Sequence, residues 1–320
     1  MTEPDGTEHR DVREHDGGTF DVRIASWPED MAALRELRSQ VFIEEQGVPA
    51  DIEWDGRDET AQHVVAEHEG QVLGCGRLLS DGRIGRLAVL RDHRGRGIGL
   101  RMLSLLVQLA KEGGLGQVYL HAQKTAVAFY ARAGFEARGE SFLEAGIEHQ
   151  DMLQTLDYTE WSSTLPRVSY PDPFAQLAAC EAQRAGRELR ILSPDLDPRV
   201  FDQEAFLDAV RQLVRRGRMS RILIIVKDPR ALTSRGHGML NLARRMPSSI
   251  EIRKLSEHPA WNDRTLLIRD RAGLLSLAAG ERSRGVFRPH ARAECESAIY
   301  LFEDLWRAAS VDPEFRSLSL

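Results

Sequence analysis

The stretch Arg86-Leu-Ala-Val-Leu-Arg-Asp-His-Arg-Gly-Arg-Gly-Ile-Gly-Leu-Arg-Met-Leu103 constrains the fold more than any other part of this chain. Arg86 to Leu90 is a short apolar run that reads as a strand, and Arg91 to His93 is a polar turn. Arg94-Gly95-Arg96-Gly97-Ile98-Gly99 then leads into a helical pattern with Leu100, Leu103, Val107 and Ala110 on one face. Strand, glycine-rich turn and helix in that order make an anion cradle. Glycine lets the backbone approach a ligand, and a helix start offers unpaired N–H groups at the positive end of the dipole. A pyrophosphate suits such a site. The turn lacks Gly-Lys-Ser/Thr, which disfavours a P-loop, and no second βαβ unit with a ribose-binding acid follows, which disfavours a dinucleotide fold.

A length of 320 residues fits about two domains, and charge is divided between them. Residues 1–160 hold 17 Lys and Arg against 29 Asp and Glu, whereas residues 161–320 hold 26 against 20. That contrast predicts two domains of different character. Basic and acidic residues are interspersed in the second half, so a solvated surface is expected there rather than a nucleic-acid interface. No run approaches the roughly 20 apolar residues of a membrane span, and the polar N-terminus lacks a signal-peptide core. Cys75, Cys180 and Cys295 are too few and too scattered for a disulfide framework or a zinc site, so no metal and a cytoplasmic location are expected.

Residues 1–19 read as a disordered leader. A strand is expected over Phe20–Ala25 and a helix over Met31–Glu44, with Leu34, Leu37, Val41 and Phe42 on one side. Gly47 and Pro49 end that helix. Strands follow at His63–Glu67 and Val72–Leu79, joined at Glu69-Gly70. Beyond the cradle, Gly113-Gly114 stops the helix. Gln117–Gln123 is a strand, Thr125–Phe135 a short helix capped by Gly134, and Glu144–His149 a turn between two final strands. The expected class is α/β (α+β), a mixed β-sheet flanked by helices on both faces, over residues 20–158.

Leu87-Ala-Val89 followed by Arg-Gly-x-Gly-x-Gly resembles the acetyl-coenzyme A signature of the GNAT superfamily of N-acetyltransferases. Phe42-Ile-Glu-Glu-Gln-Gly-Val-Pro49, Glu53-Trp-Asp55, Asp58 to His63, Ala122-Gln123, Phe129-Tyr130, Gly134-Phe135 and Gly146 to Met152 resemble its ElaA/YjcF-type branch. The resemblance implies that the backbone around Leu87, Ala88 and Val89 pairs with the coenzyme arm in a gap between splayed strands. An N–H near Val89 would polarise the thioester carbonyl. It also implies that Arg94, Gly95, Arg96, Gly97, Ile98 and Gly99 hold the pyrophosphate, with Gln123 and Phe129 also beside the coenzyme. One of the two arginines is allowed to face water.

Tyr130 falls where the family commonly places a tyrosine near the coenzyme sulfur. Its phenol could protonate the leaving thiolate, or the ring could simply pack beside Phe129. The proton of the attacking amine must go to a base, and Glu45, His121 and His149 are the candidates. Phe42, Trp54, Asp55 and His121 are expected on the acceptor side. Two readings stand for the middle pair: pocket walls, or a core plug at Trp54 and a turn cap at Asp55.

Thr159–Pro173 reads as a linker by its prolines. Residues 174–320 read as a second α/β domain, with helices at Phe174–Arg184, from Asp202 through Arg216, at Gly238–Met246 and at Ala291–Ala309. Strands are expected at Leu189–Leu192, Arg221–Val226, Ile250–Leu255, Thr265–Arg269 and Leu274–Ala278. The Asp270-Arg-Ala-Gly273 turn and Phe302-x-x-x-Trp306 look like half of a phospholipase D-like fold. That family needs His-x-Lys-x4-Asp, and counting back from Asp270 the two positions hold Asp263 and Thr265. A noncatalytic scaffold for dimerisation, partner docking or acceptor delivery is therefore expected.

The leading expectation is direct transfer of an acetyl group from acetyl-coenzyme A to a small-molecule or peptide amine. The acidic first half favours a cationic acceptor. The competing expectation is an acyl-coenzyme A sensor whose second domain docks a protein or nucleic acid.

Overall fold

A computed structural model describes residues 20–315 apart from 218, 235 and 281–283. The expected disordered leader, 1–19, lies outside the described residues. The chain forms two compact units. The first runs to Leu106 and adds Leu120–Ala133 and Gly139–Asp151; the second gathers Val107–Tyr119, Gly134–Arg138 and the chain from Met152 on.

The chain begins with β1 (Asp21–Ala25) and α1 (Trp27–Arg38), which continues as π-helical turns over Ser39–Glu45. A short α2 (Ala50–Glu53) precedes β2 (Gln62–His68), β3 (Gln71–Leu78) and β4 (Ile84–Val89). These four strands form an antiparallel sheet in the order β1-β2-β3-β4. Next come α3 (Ile98–Glu112), β5 (Gln117–Gln123), α4 (Val127–Arg132), β6 (Glu136–Glu144) and β7 (Ile147–Thr155). The last three strands make a separate sheet in the order β5-β7-β6. Among the described residues no ladder joins β4 to β5, so the mixed sheet is divided at that point.

Two differences from the sequence reading have clear causes. The buried stripe of α3 is Ile98, Met102, Leu103 and Leu106, continuing to Leu109 and Ala110. Leu100 is 46% exposed, because a 3.6-residue period that buries 102, 103 and 106 turns position 100 outward. His149 sits inside β7, since the hairpin turns on Ala145 and Gly146 alone, both with positive φ. Glycines at 74 and 76 let α3 lie close on β3. A Cβ at Gly74 would fall 2.9 Å from the Ala88 carbonyl oxygen and 2.7 Å from the Met102 methyl, and one at Gly76 would fall 2.9 Å from Leu106.

The second unit is built on a seven-stranded sheet. In chain order its elements are β8 (Leu165–Val168), α5 (Phe174–Arg184), β9 (Glu188–Ser193), α6 (Pro198–Phe201), α7 (Glu204–Arg216) and β10 (Arg221–Val226). They continue with α8 (Arg230–Ser234), α9 (Gly238–Arg245), β11 (Ile250–Lys254), β12 (Thr265–Arg269), β13 (Gly273–Leu277), β14 (Gly285–Arg288) and α10 (Arg292–Ala308). The strand order is β11-β10-β9-β12-β13-β14-β8, parallel through β11, β10 and β9 and antiparallel beyond.

The stretch expected as a linker thus contains β8, which pairs with β14; its prolines mark an edge strand and a turn rather than a flexible tether. Asp202 is not a helix cap. Its carboxylate accepts from the Gly238 N–H at 2.6 Å, while Asp197 caps α6 through the Arg199 N–H. Asp270, at φ +50°, accepts the backbone N–H groups of Gly186, Arg187 and Glu188, so it fixes a turn.

Candidate active site

The cradle is held open by backbone conformation. Gly95 and Gly97 have φ of +78° and +81°, and no atom lies within 4 Å of where either Cβ would be. Conformation, not crowding, therefore requires glycine there, since an L-residue in the left-handed region costs about 1–2 kcal/mol. The first intrahelical bond of α3 runs from the Arg101 N–H to the Gly97 carbonyl. The amides before it have no intrahelical partner and stand at the positive end of a 15-residue helix.

They border a cavity of about 520 Å3 with Leu87, Val89 and Phe129 among its walls. Gly95, Gly97, Ile98 and Gly99 all line it. His93, Leu100 and Arg132 also line it, although Leu100 was expected on the core face of the helix and the other two were not singled out. Arg132 is spaced from the glycine run by a strand and a helix, and no local motif announces it.

The two cradle arginines are engaged elsewhere. Arg94 donates its Nε to the Val89 carbonyl at 2.9 Å and binds the Glu45 carboxylate through both terminal nitrogens, at 2.7 and 2.8 Å. It still borders the cavity. Arg96 is exposed, does not line it, and donates to the Asp92 carbonyl at 3.2 Å. The same geometry speaks against Glu45 as a base. Hydrogen bonds from Arg94 hold its carboxyl below the usual carboxylate range, Arg91 adds charge at 3.5 Å, and both oxygens are occupied.

A second cavity, of about 290 Å3, opens between the edge of β4 and β5. Phe42, Ala88, His121, Gln123 and His149 line it. The two cavities share Leu87, Val89, Arg94, Ala126 and Tyr130. Tyr130 therefore stands where they meet, edge-on to Phe129 with ring centroids 5.0 Å apart. Burial pushes its phenol up to about 12, so it carries its proton at neutral pH. Packing and proton donation are compatible here.

Neither Trp54 nor Asp55, expected on the acceptor side, lines either cavity. Trp54 lies under the Arg38 guanidinium, 4.7 Å from ring centroid to Cζ, with Arg35 at 5.5 Å. Asp55 binds Arg77 at 2.6 and 2.8 Å and accepts the Arg57 N–H. Burial opposes its ionisation, yet the Arg77 and Arg57 hydrogen bonds hold its carboxyl well below the usual range.

Both residues belong to a charge cluster behind the pocket. Arg38, 1% exposed, binds Glu53 at 2.5 Å and Asp58 at 2.9 Å. Arg77 also binds Asp58, at 2.8 Å. Arg86, at a bulge in β4 with φ +52°, meets the Glu53 carboxylate at 2.9 Å and the Ile52 and Glu53 carbonyls at 2.8 and 2.9 Å. Three arginines thus balance three carboxylates. The cluster fastens the Ile52–Asp55 segment, whose Ile52 and Glu53 line the second cavity.

His121, on the same cavity, has Glu144 on one ring nitrogen and Asp151 on the other, at 2.9 and 3.3 Å. Arg83 reaches the same Nδ1 at 3.0 Å. His149 places Nδ1 2.9 Å from the Ile147 carbonyl and stacks near Phe142. Gln123 donates to Gln46 at 2.9 Å. Arg83, Glu144, Asp151 and Gln46 were not foreseen, because they come from four separate segments. Cys75 packs inside β3; burial pushes its thiol up to about 12, which suits a core residue rather than a nucleophile.

Residues 29–156 match the family model described as acetyltransferase (GNAT) domain. The uncharacterized N-acetyltransferase YjcF of Bacillus subtilis is 35% identical over 135 residues, which is 41% of this chain and 96% of that protein. The chain belongs to the GNAT family. As a GNAT N-acetyltransferase it has the fold that uses acetyl-coenzyme A, and the glycine cradle fits a diphosphate.

An acyl-CoA N-acyltransferase from Pseudomonas aeruginosa is 33% identical, covering 43% of this chain and all of that one at a TM-score of 0.40. Escherichia coli ElaA is 27% identical over 42% of this chain and 99% of that one, at 0.39. Residues 171–318 match a domain of unknown function, which gives the phospholipase D-like likeness no support. No helix among the described residues is long and apolar enough to cross a membrane.

Proposed function

We propose that this acetyltransferase moves the acetyl group directly from acetyl-coenzyme A to a primary amine, with Tyr130 as the acid at the leaving sulfur. The carrying observation is that Tyr130 belongs to both cavities, one ending at the cradle and the other at the acceptor wall.

The amides at the start of α3, with Gly95 and Gly97, hold the diphosphate of the donor. The β4 edge at Leu87 and Val89 pairs with the pantetheine arm, and the gap between β4 and β5 leaves room for it. An amine entering beside Phe42 and His121 meets the thioester from the opposite side. The neutral phenol of Tyr130 then protonates the departing thiolate, a step worth about 10²–10⁴ in rate when such an acid is well placed. Gln46 and Gln123 are amide groups on the acceptor wall that accept or donate hydrogen bonds to the acceptor's polar atoms.

The acidic balance of the first half favours a cationic acceptor at long range. Inside the pocket, Glu53 and Glu144 are each accompanied by arginine, so recognition of that charge falls to the rim. For the second domain we infer a noncatalytic scaffold. A phospholipase D-like origin would need a histidine and a lysine at positions 263 and 265; Asp263 instead pairs with Lys227 at 2.8 Å, and Thr265 starts β12.

The test is calorimetric titration of the full chain with acetyl-coenzyme A, followed by thiol release with a panel of primary amines. Donor binding with amine-dependent thiol release supports direct transfer. Tyr130→Phe should retain donor binding and lose about 10²-fold in kcat. An unchanged kcat removes Tyr130 from the chemistry.

A further inference from the structure

The geometry points to His121 as the group that takes the proton of the acceptor amine, with Arg83, Glu144 and Asp151 as its positioning residues. The inference rests on the direct-transfer reading and adds the missing half of its proton balance.

His121 reaches the acceptor cavity from β5, and three charged groups from three other segments meet its ring. Nδ1 lies 2.9 Å from Glu144 Oε2 and 3.0 Å from Arg83 Nη2, and Nε2 lies 3.3 Å from Asp151 Oδ1. Phe142 packs edge-on at 5.1 Å.

An acceptor and a donor on one nitrogen cannot both be satisfied in a single protonation state. With the proton on Nε2 alone, Nε2–H faces Asp151 and the Nδ1 lone pair accepts from Arg83. In the imidazolium, Nδ1–H donates to Glu144 and Nε2–H still faces Asp151. Arg83 then keeps a partner, because Glu144 Oε1 lies 3.5 Å from its Nη2. Both states of the ring are therefore supported in place, as a residue that gains and loses a proton each turnover requires.

The other candidates lack this arrangement. His149 donates Nδ1–H to the Ile147 carbonyl, and Glu144 acts on it only through space, with no carboxylate among the described residues within ion-pair distance of its ring. Glu45 is held by Arg94 on both oxygens. The remaining titratable or charged groups of the cavity are Tyr130, Glu53, Arg86, Arg94 and His149, and Lys124, just after β5, pairs with Glu148 of β7.

In the reaction, the amine lone pair forms the C–N bond, and an N–H bond breaks with its proton passing to Nδ1 as the Arg83 donor leaves that lone pair for Glu144 Oε1. The C–S bond breaks, and the thiolate takes the Tyr130 proton. The imidazolium proton leaves to solvent past Asp151, whose side chain is 54% exposed. The phenolate regains a proton from solvent, so the net products are the amide and the thiol.

The experiment measures kcat/KM against pH for the full chain with acetyl-coenzyme A and, in turn, spermidine, lysine and tyramine. Acetyl-coenzyme A binding is measured alongside as the control for folding. His121→Gln should bind the donor as before, lose about 10²–10⁴ in kcat and lose the acidic limb of the profile. Asp151→Asn removes an anion beside the imidazolium and should move that limb to lower pH. Arg83→Gln removes a cation and should move it the opposite way. A purely structural role moves neither limb.

If His121→Gln keeps the wild-type rate and limb, or the two neighbour variants shift the limb the same way, this inference falls and direct transfer stands. If the wild type binds donor but releases no thiol with any of the three amines, direct transfer falls and this inference with it.

Discussion

Replacing Glu53 by glutamine tests whether the buried charge cluster holds the acceptor wall. The side chain is 2% exposed and lies 2.5 Å from Arg38 and 2.9 Å from Arg86. Burial raises its proton affinity, and the Arg38 and Arg86 charges pull it back, so the carboxylate depends on its partners. Glutamine conserves volume but removes the charge and turns an NH2 group toward guanidinium donors. Arg38 is then left with Asp58 at 2.9 Å, and Arg86 with two carbonyls and Asp55 at 3.4 Å.

Breaking a buried pair by removing one partner costs about 3–5 kcal/mol. With about 2–4 °C lost per kcal/mol for a body of this size, the melting midpoint should fall by about 6–20 °C. Scanning calorimetry measures that drop. At a temperature where the variant is folded, the KM for the amine should rise while donor binding holds, because Ile52 and Glu53 belong to the acceptor wall and not to the cradle. A midpoint within about 1 °C of wild type would refute the reasoning, since it would mean that the cluster carries no net ionic coupling.

Gly97→Glu places a side chain and a negative charge at a φ of +81° on the cradle, and calorimetry should find acetyl-coenzyme A binding abolished. Gly273→Ala should be among the most damaging single changes in the second unit. Its Cβ would sit 1.7 Å from the Glu181 carboxylate, which pairs with Arg269 at 2.8 Å, and a loss of about 3–5 kcal/mol should appear in urea unfolding.

Acidification should destabilise the first unit. Asp30, Glu45, Asp55 and Asp58 all have carboxyls lowered by arginine partners, so their contribution is complete above the ordinary carboxylate range near pH 4. It is lost as pH falls through the lowered values, which unfolding midpoints measured from pH 6 down to pH 2 will follow. A midpoint that rises on acidification would contradict the sign.

Much of the donor side was legible in the sequence because it is local. Strand, positive-φ glycines and helix start occupy consecutive positions from Leu87 to Gly99, and each has a residue type that only that conformation favours. Tyr130 was singled out only through the family resemblance, and the structure places it on both cavities. The strands of the second unit were legible wherever β-branched runs were continuous, as at Arg221–Val226, and missed where they were only four residues long, as at Leu165–Val168 and Gly285–Arg288.

The acceptor side depended on the tertiary structure for the opposite reason. Trp54 and Asp55 stand next to Glu53, yet only Glu53 borders the cavity, because Arg38 and Arg77 draw the other two into the cluster behind it. Arg83, His121, Glu144 and Asp151 are up to 68 positions apart and share no periodicity, and the hairpins bring them to one ring. The sequence by itself determined the family, through motifs spread from Phe42 to Met152, and also the strand–glycine–helix turn and the alternation that makes two α/β bodies, which follow from backbone propensity and short-range pattern. Which charged groups are paired, and which are left facing the acceptor, was decided only by the tertiary structure, because electrostatic partnership depends on distance in space.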